Sequence, residues 1–254
     1  IQTERHDSDM KKILVPTDFS PNAFSAAQYA ANLACEHQHG LHILHCYTAL
    51  SSTFDEDAAA VDREDSTLLK ADLTIVDFVE KIQQEFPQVE ISYENVRGLL
   101  SEVLPREAKK EGYLCIIMGT VGASAKKNIF WGSNAAQITS SSPIPIFAIP
   151  QQITAYAHTK VGLLTNFKQE ELIGLQEYLS ISGSIAELFL IHVYKAEQPL
   201  EEVMEELETW KFNIQEFTNI EKIQYLIAPI NKEDKSLDTV PEVIYNLIES
   251  EKLD

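Results

Sequence analysis

The chain has 254 residues, of which 44 % are hydrophobic and 23 % are charged, and its formal net charge is −19. This composition is typical of a soluble globular protein that is long enough for two domains of moderate size. The strong negative charge argues against binding to nucleic acid or to an anionic membrane, because no basic stripe offsets it. The sequence has no apolar run near the length of a membrane span and no signal-like start, which predicts a cytoplasmic protein.

The first predicted elements are a strand over Lys12–Pro16 and a helix over Pro21–His37. Ser20 and Pro21 are typical of a helix start, since serine caps the first turn and proline fits its first position. A second strand is predicted over Leu41–Tyr47, and an acidic loop follows it.

The remaining elements of the first half alternate in the same way. They are a helix over about 65–86, a strand over 89–95, a helix over 99–111, a strand over 113–118, a short helix from Ser133 and a strand over 144–149. Alternating strands and helices, with strands apolar on both faces, predict a parallel sheet that helices cover on both sides. The predicted class is α/β, with a doubly wound, Rossmann-like, five-stranded sheet. In the order 3-2-1-4-5, ligands would bind at the carboxyl ends of strands 1 and 4, where the winding reverses.

A loop with three glycines joins the strand that ends at Met118 to the helix that begins at Ser133. Gly119, Gly122 and Gly132 give it the pattern of a glycine, two residues, a glycine, nine residues, and a glycine followed by a serine. Such a loop can direct backbone N–H groups and the positive end of a helix dipole toward an anion, which predicts phosphate binding. The glycines could instead only end the strand and shape a surface loop.

This loop matches neither of two familiar phosphate-binding motifs. It is not the P-loop of nucleoside triphosphatases, because no lysine follows its last glycine. It is not the dinucleotide-binding fingerprint either, because its second and third glycines are too far apart.

Segments of the first half recur in the second half. Residues 12–19 align with 160–167, and residues 41–47 align with 188–194, while a third match is weaker. Repetition of this kind predicts two tandem copies of one domain. The expected organisation is a leader or expression remnant over 1–9, a first domain over 10–150, a linker over 151–158 and a second domain over 159–254.

Three short motifs stand at the predicted strand ends: PTDFS at residues 16–20, LHC at 44–46 and MG at 118–119. Together they resemble the universal stress protein family in its tandem form. The likeness covers residues 10–150 well and 159–254 in part. The glycine spacing resembles the motif of the ATP-binding branch of that family, which implies ATP as the ligand, with Mg²⁺ or Mn²⁺ bound through its phosphates.

The resemblance also implies roles for individual residues. Asp18 would face the adenine or the ribose, and Pro16 and Thr17 would line the same edge. Cys46 would offer backbone atoms to the base, and Met118 would cover it. The phosphates would be wrapped by Gly119, Gly122, Gly132, Ser133, Asn134 and Ala135.

Two points of this assignment stay open. Val121 departs from the family pattern, in which histidine is often found, and the loss of that side chain bears on affinity. Asp18 could serve only to bind N–H groups at the start of the following helix.

The second copy is expected to be degenerate. Asn166 stands where the first copy has Asp18, and residues 252–254 align with 112–114. The counterparts of strand 4 and of the glycine loop are therefore expected to be missing, so that the second sheet lacks its last strands. Either the chain is cut short, which we favour, or a partner covers the exposed edge.

The histidines raise the question of a metal site, since four of the seven lie within residues 36–45. Their spacing spreads them over a helix end, a turn and a strand, without a quartet of Cys, His and carboxylate ligands around them. We interpret the segment as a solvated turn and expect no metal ligands in the protein. His45 and His192 occupy equivalent repeat positions, where a structural hydrogen bond at the strand end is expected.

The three cysteines, Cys35, Cys46 and Cys115, include no Cys-x-x-Cys pair. We expect all three to be reduced and structural, because free cysteine behaves as a small buried hydrophobe.

These observations favour a stress-response protein whose first domain binds ATP and whose second domain acts as a dimer partner. The chain would form a homodimer or an intramolecular pseudo-dimer, and the nucleotide would alter its association with an unknown protein partner. The alternatives are a protein-binding module of the same fold that binds no nucleotide, and a slow ATP hydrolase. No catalytic residues are predicted, because neither a Walker lysine nor a Ser, His and Asp set is evident.

Overall fold

The structure is a computed structural model. It describes residues 10–48, 59–120, 133–156, 158–230, 239–251 and 253, and for residues 59–67 and 133–136 it describes the backbone alone. After Tyr156 the chain divides into two compact units, which we call unit 1 and unit 2.

Unit 1 is built around a parallel sheet with helices between its strands. Its elements are β1 (Lys12–Thr17), α1 (Pro21–His37), β2 (Gly40–Tyr47), α2 (Ala59–Glu85), β3 (Ile91–Arg97), α3 (Leu100–Glu107), β4 (Tyr113–Gly119), α4 (Ser133–Ser141) and β5 (Ile146–Ile149). The strand order is β3-β2-β1-β4-β5, and every neighbouring pair is parallel. The α/β class and the strand order predicted for the first half are confirmed.

The centre of the sheet is apolar on both faces. Ile13, Leu14 and Val15 of β1 have no exposed surface, because β2 and β4 flank this strand and helices cover it. Helix α1 presents small side chains to the sheet, which lets its backbone come close to the strands. The buried alanines of α1 are Ala23, Ala26, Ala27, Ala30, Ala31 and Ala34.

Polar side chains of α1 hold the segment at the end of β5. The side-chain amide of Asn22 donates to the carbonyl oxygen of Ile149 at 2.9 Å, and Ser25 Oγ donates to the carbonyl oxygen of Gln151 at 2.9 Å. Asn22 is only 3 % exposed, so its amide must be hydrogen-bonded to be tolerated there. These bonds fix the position of α1 along the sheet.

Several element boundaries differ from the sequence prediction. Helix α2 begins at Ala59 and not near residue 65, β5 begins at Ile146 and not at residue 144, and α3 and β3 are shifted as well. Helix α3 ends at Glu107 because the next turn closes by a shorter-range bond, from the N–H of Lys110 to the Glu107 carbonyl at 2.9 Å. Strand β3 begins at Ile91 because the N–H of Val89 is still bonded to the carbonyl of Phe86 in the turn after α2, at 3.1 Å.

Unit 2 repeats the first part of unit 1. Its elements are β6 (Lys160–Leu164), α5 (Gln169–Ser182), β7 (Glu187–Lys195), α6 (Leu200–Phe217), β8 (Lys222–Ile230) and α7 (Val240–Glu251). Within the described residues its sheet has three parallel strands in the order β6-β7-β8, which reproduces β1-β2-β3. The predicted second sheet without counterparts of β4 and β5 agrees with this arrangement.

The core of unit 2 lies between this sheet and its helices. Leu188 and Leu190 of β7 are fully buried, and they belong to one cluster with Leu207, Trp210 and Ile214 of α6. In the part of the chain that the structure covers, none of the helices is both long enough and apolar enough for a membrane span.

The contact between α1 and the end of β4 gives a test of this packing. A Cβ atom at Gly119 would lie 2.8 Å from Cγ and Oδ1 of Asn22, and the Asn22 side chain cannot move without breaking its bond to Ile149. We expect Gly119→Ala to lower the free energy of unfolding by about 1–3 kcal/mol. Urea unfolding followed by circular dichroism measures the change.

Gly174→Ala is the matched control. Gly174 lies within α5, and among the described residues no atom comes within 4 Å of an added Cβ. Because alanine favours the helix over glycine, this variant is expected to gain about 0.5–1 kcal/mol. Equal stability of the Gly119→Ala variant and the wild type would contradict the close packing of α1 on β4.

Candidate functional site

A hydrogen-bonded turn leads from the end of β1 into α1. Thr17 Oγ1 accepts from the N–H of Phe19 at 3.0 Å, and Asp18 Oδ1 accepts from the N–H of Ser20 at 3.0 Å. Ser20 then caps α1, since its Oγ accepts from the N–H of Ala23 at 3.2 Å. The side chains of Thr17, Asp18 and Ser20 thus each bind an N–H group between the end of β1 and the first turn of α1. The predicted helix start is confirmed.

A histidine of β2 fixes the same turn from the side. His45 Nδ1 donates to the carbonyl oxygen of Thr17 at 2.8 Å. Phe19 has a φ of 61°, in the left-handed region, and its ring centroid lies 4.2 Å from that of His45 and 5.8 Å from that of Phe78. Ring packing offsets the backbone strain of a non-glycine residue in this region.

The same turn occurs in unit 2. Phe167 has a φ of 62°, its N–H is bound by Thr165 Oγ1 at 3.0 Å, and its ring lies 4.7 Å from that of His192. His192 Nδ1 donates to the carbonyl oxygen of Thr165 at 2.8 Å. The structural hydrogen bond expected at both equivalent histidines is confirmed.

The two turns differ at the residue that follows the threonine. In unit 1, Asp18 is exposed, and its carboxylate lies at the end of β1. In unit 2, the N–H of Asn166 is bound by Glu171 Oε1 at 2.9 Å, and Thr165 Oγ1 donates to Glu171 Oε2 at 2.6 Å. A carboxylate of α5 therefore occupies the place where that helix begins.

The ends of β1 and β4 lie at one edge of the sheet. The strands are parallel neighbours, with Ile13 opposite Cys115 and Leu14 opposite Ile116. Because parallel neighbours run in the same direction, Thr17 and Gly119, the last residues of the two strands, lie at the same edge, and Asp18 follows Thr17 there. This is the place where the winding of the sheet reverses.

The other candidate residues of the strands are more buried. Pro16 is buried in β1, and Met118 is 6 % exposed in a cluster that also contains Leu14 and Leu44. Cys46 is half-buried and packs against the same cluster. The side chains of Met118 and Cys46 therefore contribute to packing, which leaves mainly backbone atoms at the edge.

Cys46 and Cys115 are not activated thiols. Burial raises the pKa of Cys46 to about 11 and that of Cys115 to about 12, so both thiols are protonated at neutral pH. All three cysteines are free, as expected, but Cys35 is exposed and accepts a hydrogen bond from Gln88, so it is not a buried structural residue.

The glycine loop joins Gly119 at the end of β4 to Ser133 at the start of α4. Gly122 and Gly132 lie outside the described residues. Ser133, Asn134 and Ala135 form the first turn of α4, a helix of nine residues. The first N–H groups of a helix have no partner within it, and they lie at the positive end of its dipole.

Sequence reasoning missed two residues near the strand ends. Asn22 lies against Gly119, and only its position at the start of α1, next to the cap, could have indicated this. Glu171 lies three residues after Lys168, which precedes α5, and a carboxylate at this spacing is a known signal for a helix start.

Comparison with known proteins identifies the family of the chain. The model of the universal stress protein family matches residues 10–150. A universal stress protein from Archaeoglobus fulgidus DSM 4304 has the same fold over 95 % of this chain and 84 % of its own, with a TM-score of 0.63 and 18 % sequence identity. The protein UspA from Lactobacillus plantarum covers 55 % of this chain and 97 % of its own, with a TM-score of 0.46 and 24 % identity.

A third solved structure is that of a universal stress protein in complex with cAMP, which covers 56 % of this chain and 98 % of its own, with a TM-score of 0.41 and 16 % identity. No curated protein sequence matches the chain. Because the family match spans more than half of the residues, and because unit 1 has the five-stranded parallel sheet described above, the chain belongs to the universal stress protein family.

Proposed function

We propose that the chain is a tandem universal stress protein whose unit 1 binds ATP at the edge formed by β1 and β4. The observation that carries this proposal is the adjacency of those strands, which puts an exposed carboxylate after one and a glycine loop after the other. In doubly wound sheets this crevice is the usual place for a ligand. The protein would act in the stress response by associating with a partner in a nucleotide-dependent way.

Asp18 would bind the adenine or ribose side of the nucleotide. Its carboxylate is exposed, and the bond from the N–H of Ser20 to Oδ1 restricts its orientation. An oriented carboxylate can accept hydrogen bonds from ribose hydroxyl groups or from the amino group of adenine. Asp18 can accept the bond from the Ser20 N–H and also bind a ligand, because a carboxylate can accept several hydrogen bonds.

The phosphates would lie between the end of β4 and the start of α4. The N–H groups after Gly119, those of Gly122 and Gly132, and those of the α4 first turn would bind them. A helix terminus contributes about 0.3–2 kcal/mol toward an anion, so several N–H groups must act together against the net negative charge of the protein. Mg²⁺ or Mn²⁺ would bind through the phosphates and reduce that repulsion, and the resulting dissociation constant should be micromolar.

Unit 2 would bind no ATP and would act as a built-in counterpart of unit 1. Its turn carries Asn166 in place of the carboxylate, and Glu171 already binds the N–H of that residue. The Glu171 carboxylate at the start of α5 would repel a phosphate chain. The repeated turn with His192 preserves the fold of the unit without the features needed for the site.

The first test is a titration of ATP into the wild type and the Asp18→Asn variant, followed by calorimetry. The amide oxygen of asparagine can still accept from Ser20, so the turn should persist while the charge is lost. We expect the dissociation constant to rise about tenfold, as for the loss of a hydrogen bond to a charged group. At 100 times the dissociation constant, ATP should stabilise the wild type by about 2.7 kcal/mol.

Asn166→Ala is the control for this titration, because it changes the equivalent position of unit 2. Its affinity for ATP should equal that of the wild type. Unchanged affinity in Asp18→Asn would remove Asp18 from the site, and no binding by the wild type at millimolar ATP would reject the proposed function.

The second test concerns the glycine loop. Gly122→Val adds a side chain where the backbone is proposed to approach the phosphates, and we expect it to reduce ATP affinity by at least about tenfold. Ala123→Val adds similar bulk at the next residue, which already carries a Cβ, and should have a smaller effect. Release of inorganic phosphate from ATP, measured in parallel, distinguishes binding from slow hydrolysis: steady release that Gly122→Val abolishes would support the hydrolase alternative.

A further inference from the structure

A histidine and two carboxylates come together on the face of the sheet that α3 covers. They are His42 of β2, Glu94 of β3 and Glu107 of α3, and one ligand atom of each lies within 4.8 Å of the others. By alternation along β2, His42 shares its face with Leu44, which packs against α3. The group lies away from the carboxyl ends of β1 and β4, so it is separate from the proposed nucleotide site.

The hydrogen bonds around Ser92 favour the tautomer of His42 that carries its proton on Nδ1. Ser92 Oγ donates its one hydrogen to the carbonyl oxygen of Leu41 at 3.1 Å, and it accepts from Lys12 Nζ at 3.3 Å. His42 Nδ1 lies 3.0 Å from the same oxygen, and with the Ser92 hydrogen directed to Leu41 this ring nitrogen is the donor of that bond. The lone pair of the neutral imidazole is then on Nε2.

The Nε2 atom of His42 lies near negative charge. His42 Nε2 is buried and has no hydrogen-bond partner among the described residues, and Glu94 Oε2 lies 4.0 Å from it. An acceptor nitrogen that faces a carboxylate oxygen is unfavourable unless a cation or a proton lies between them. The geometry therefore has a place for a positive charge.

Glu107 completes the group from the helix side. Its side chain is only 7 % exposed, and it accepts from Tyr113 OH at 2.9 Å and from Lys110 Nζ at 2.6 Å. The Tyr113 bond fixes the carboxylate within the protein. The Lys110 side chain is 61 % exposed, so it can move into solvent when another cation approaches.

We infer that His42, Glu94 and Glu107 form a binding site for a divalent transition-metal ion of the Zn²⁺ class. An imidazole nitrogen with two carboxylates suits such ions, whereas Mg²⁺ and Ca²⁺ prefer oxygen ligands alone. In a tetrahedral Zn²⁺ site with bonds of about 2.0–2.2 Å, the ligand atoms lie about 3.4 Å from one another. The ligand atoms here lie within 4.8 Å of one another, and rotation of the exposed Glu94 side chain can shorten these distances. Ser92 would orient the imidazole through its other nitrogen, as outer partners of metal ligands commonly do.

The test is calorimetric titration of the full chain with Zn²⁺ at neutral pH, without nucleotide, so that it is independent of the ATP proposal. The wild type should bind one Zn²⁺ in this site. His42→Gln and Glu94→Gln should each weaken binding by about tenfold or more. Glu94 is largely exposed, so its variant should fold normally even if His42→Gln does not.

His37→Gln is the control, because His37 is a second histidine near a carboxylate, Glu36, at 4.0 Å. It should bind Zn²⁺ as the wild type does. Equal binding by the wild type and Glu94→Gln, or loss of binding in His37→Gln alone, would overturn the proposal in favour of an adventitious surface site. No binding of Zn²⁺ by the wild type at millimolar Zn²⁺ would also overturn the proposal.

Discussion

The candidate site depends on how β1 turns into α1. Thr17, Asp18 and Ser20 each bind an N–H group of the turn, and His45 holds the carbonyl of Thr17 from β2. Together these bonds hold Phe19 in a left-handed conformation that it would otherwise avoid. The exposed carboxylate thus lies at a defined place on the sheet edge, and the close contact of α1 with Gly119 sets the neighbouring strand end.

The turn at the end of the first strand occurs in both units, and comparing the two turns separates the residues that shape the turn from the residue proposed to bind the ligand. Unit 2 keeps the threonine, the left-handed phenylalanine and the histidine, because these residues shape the turn itself. It replaces Asp18 by Asn166 and brings Glu171 to the helix start. The three retained residues have a structural role. The change from Asp18 to Asn166 removes the negative charge that a ligand would meet at this position. This contrast is the physical reason to propose different roles for the two units.

Much of the fold could be predicted because its signals are local. The alternation of strands and helices and the Ser20–Pro21 helix start are each visible within a short stretch of sequence. The structural role of His45 is predicted from its repeat at His192. The shifted ends of α3 and β3 depend on single turn bonds that hydrophobic pattern does not report. The grouping of His42 with Glu94 and Glu107 depends on strand register and helix packing, so sequence spacing around the histidines predicted a solvated turn. The roles of Gly122 and Gly132 stay predictions, since they lie outside the described residues.

The central claim is that one nucleotide binds across the carboxyl ends of β1 and β4 in unit 1. A crystal structure of the full chain grown with ATP and Mg²⁺ tests it most directly. The account predicts electron density for the adenosine beside Asp18 and for the triphosphate at the first turn of α4, with no nucleotide at unit 2. Nucleotide density at any other place, or a crevice without nucleotide at saturating ATP, would contradict the account.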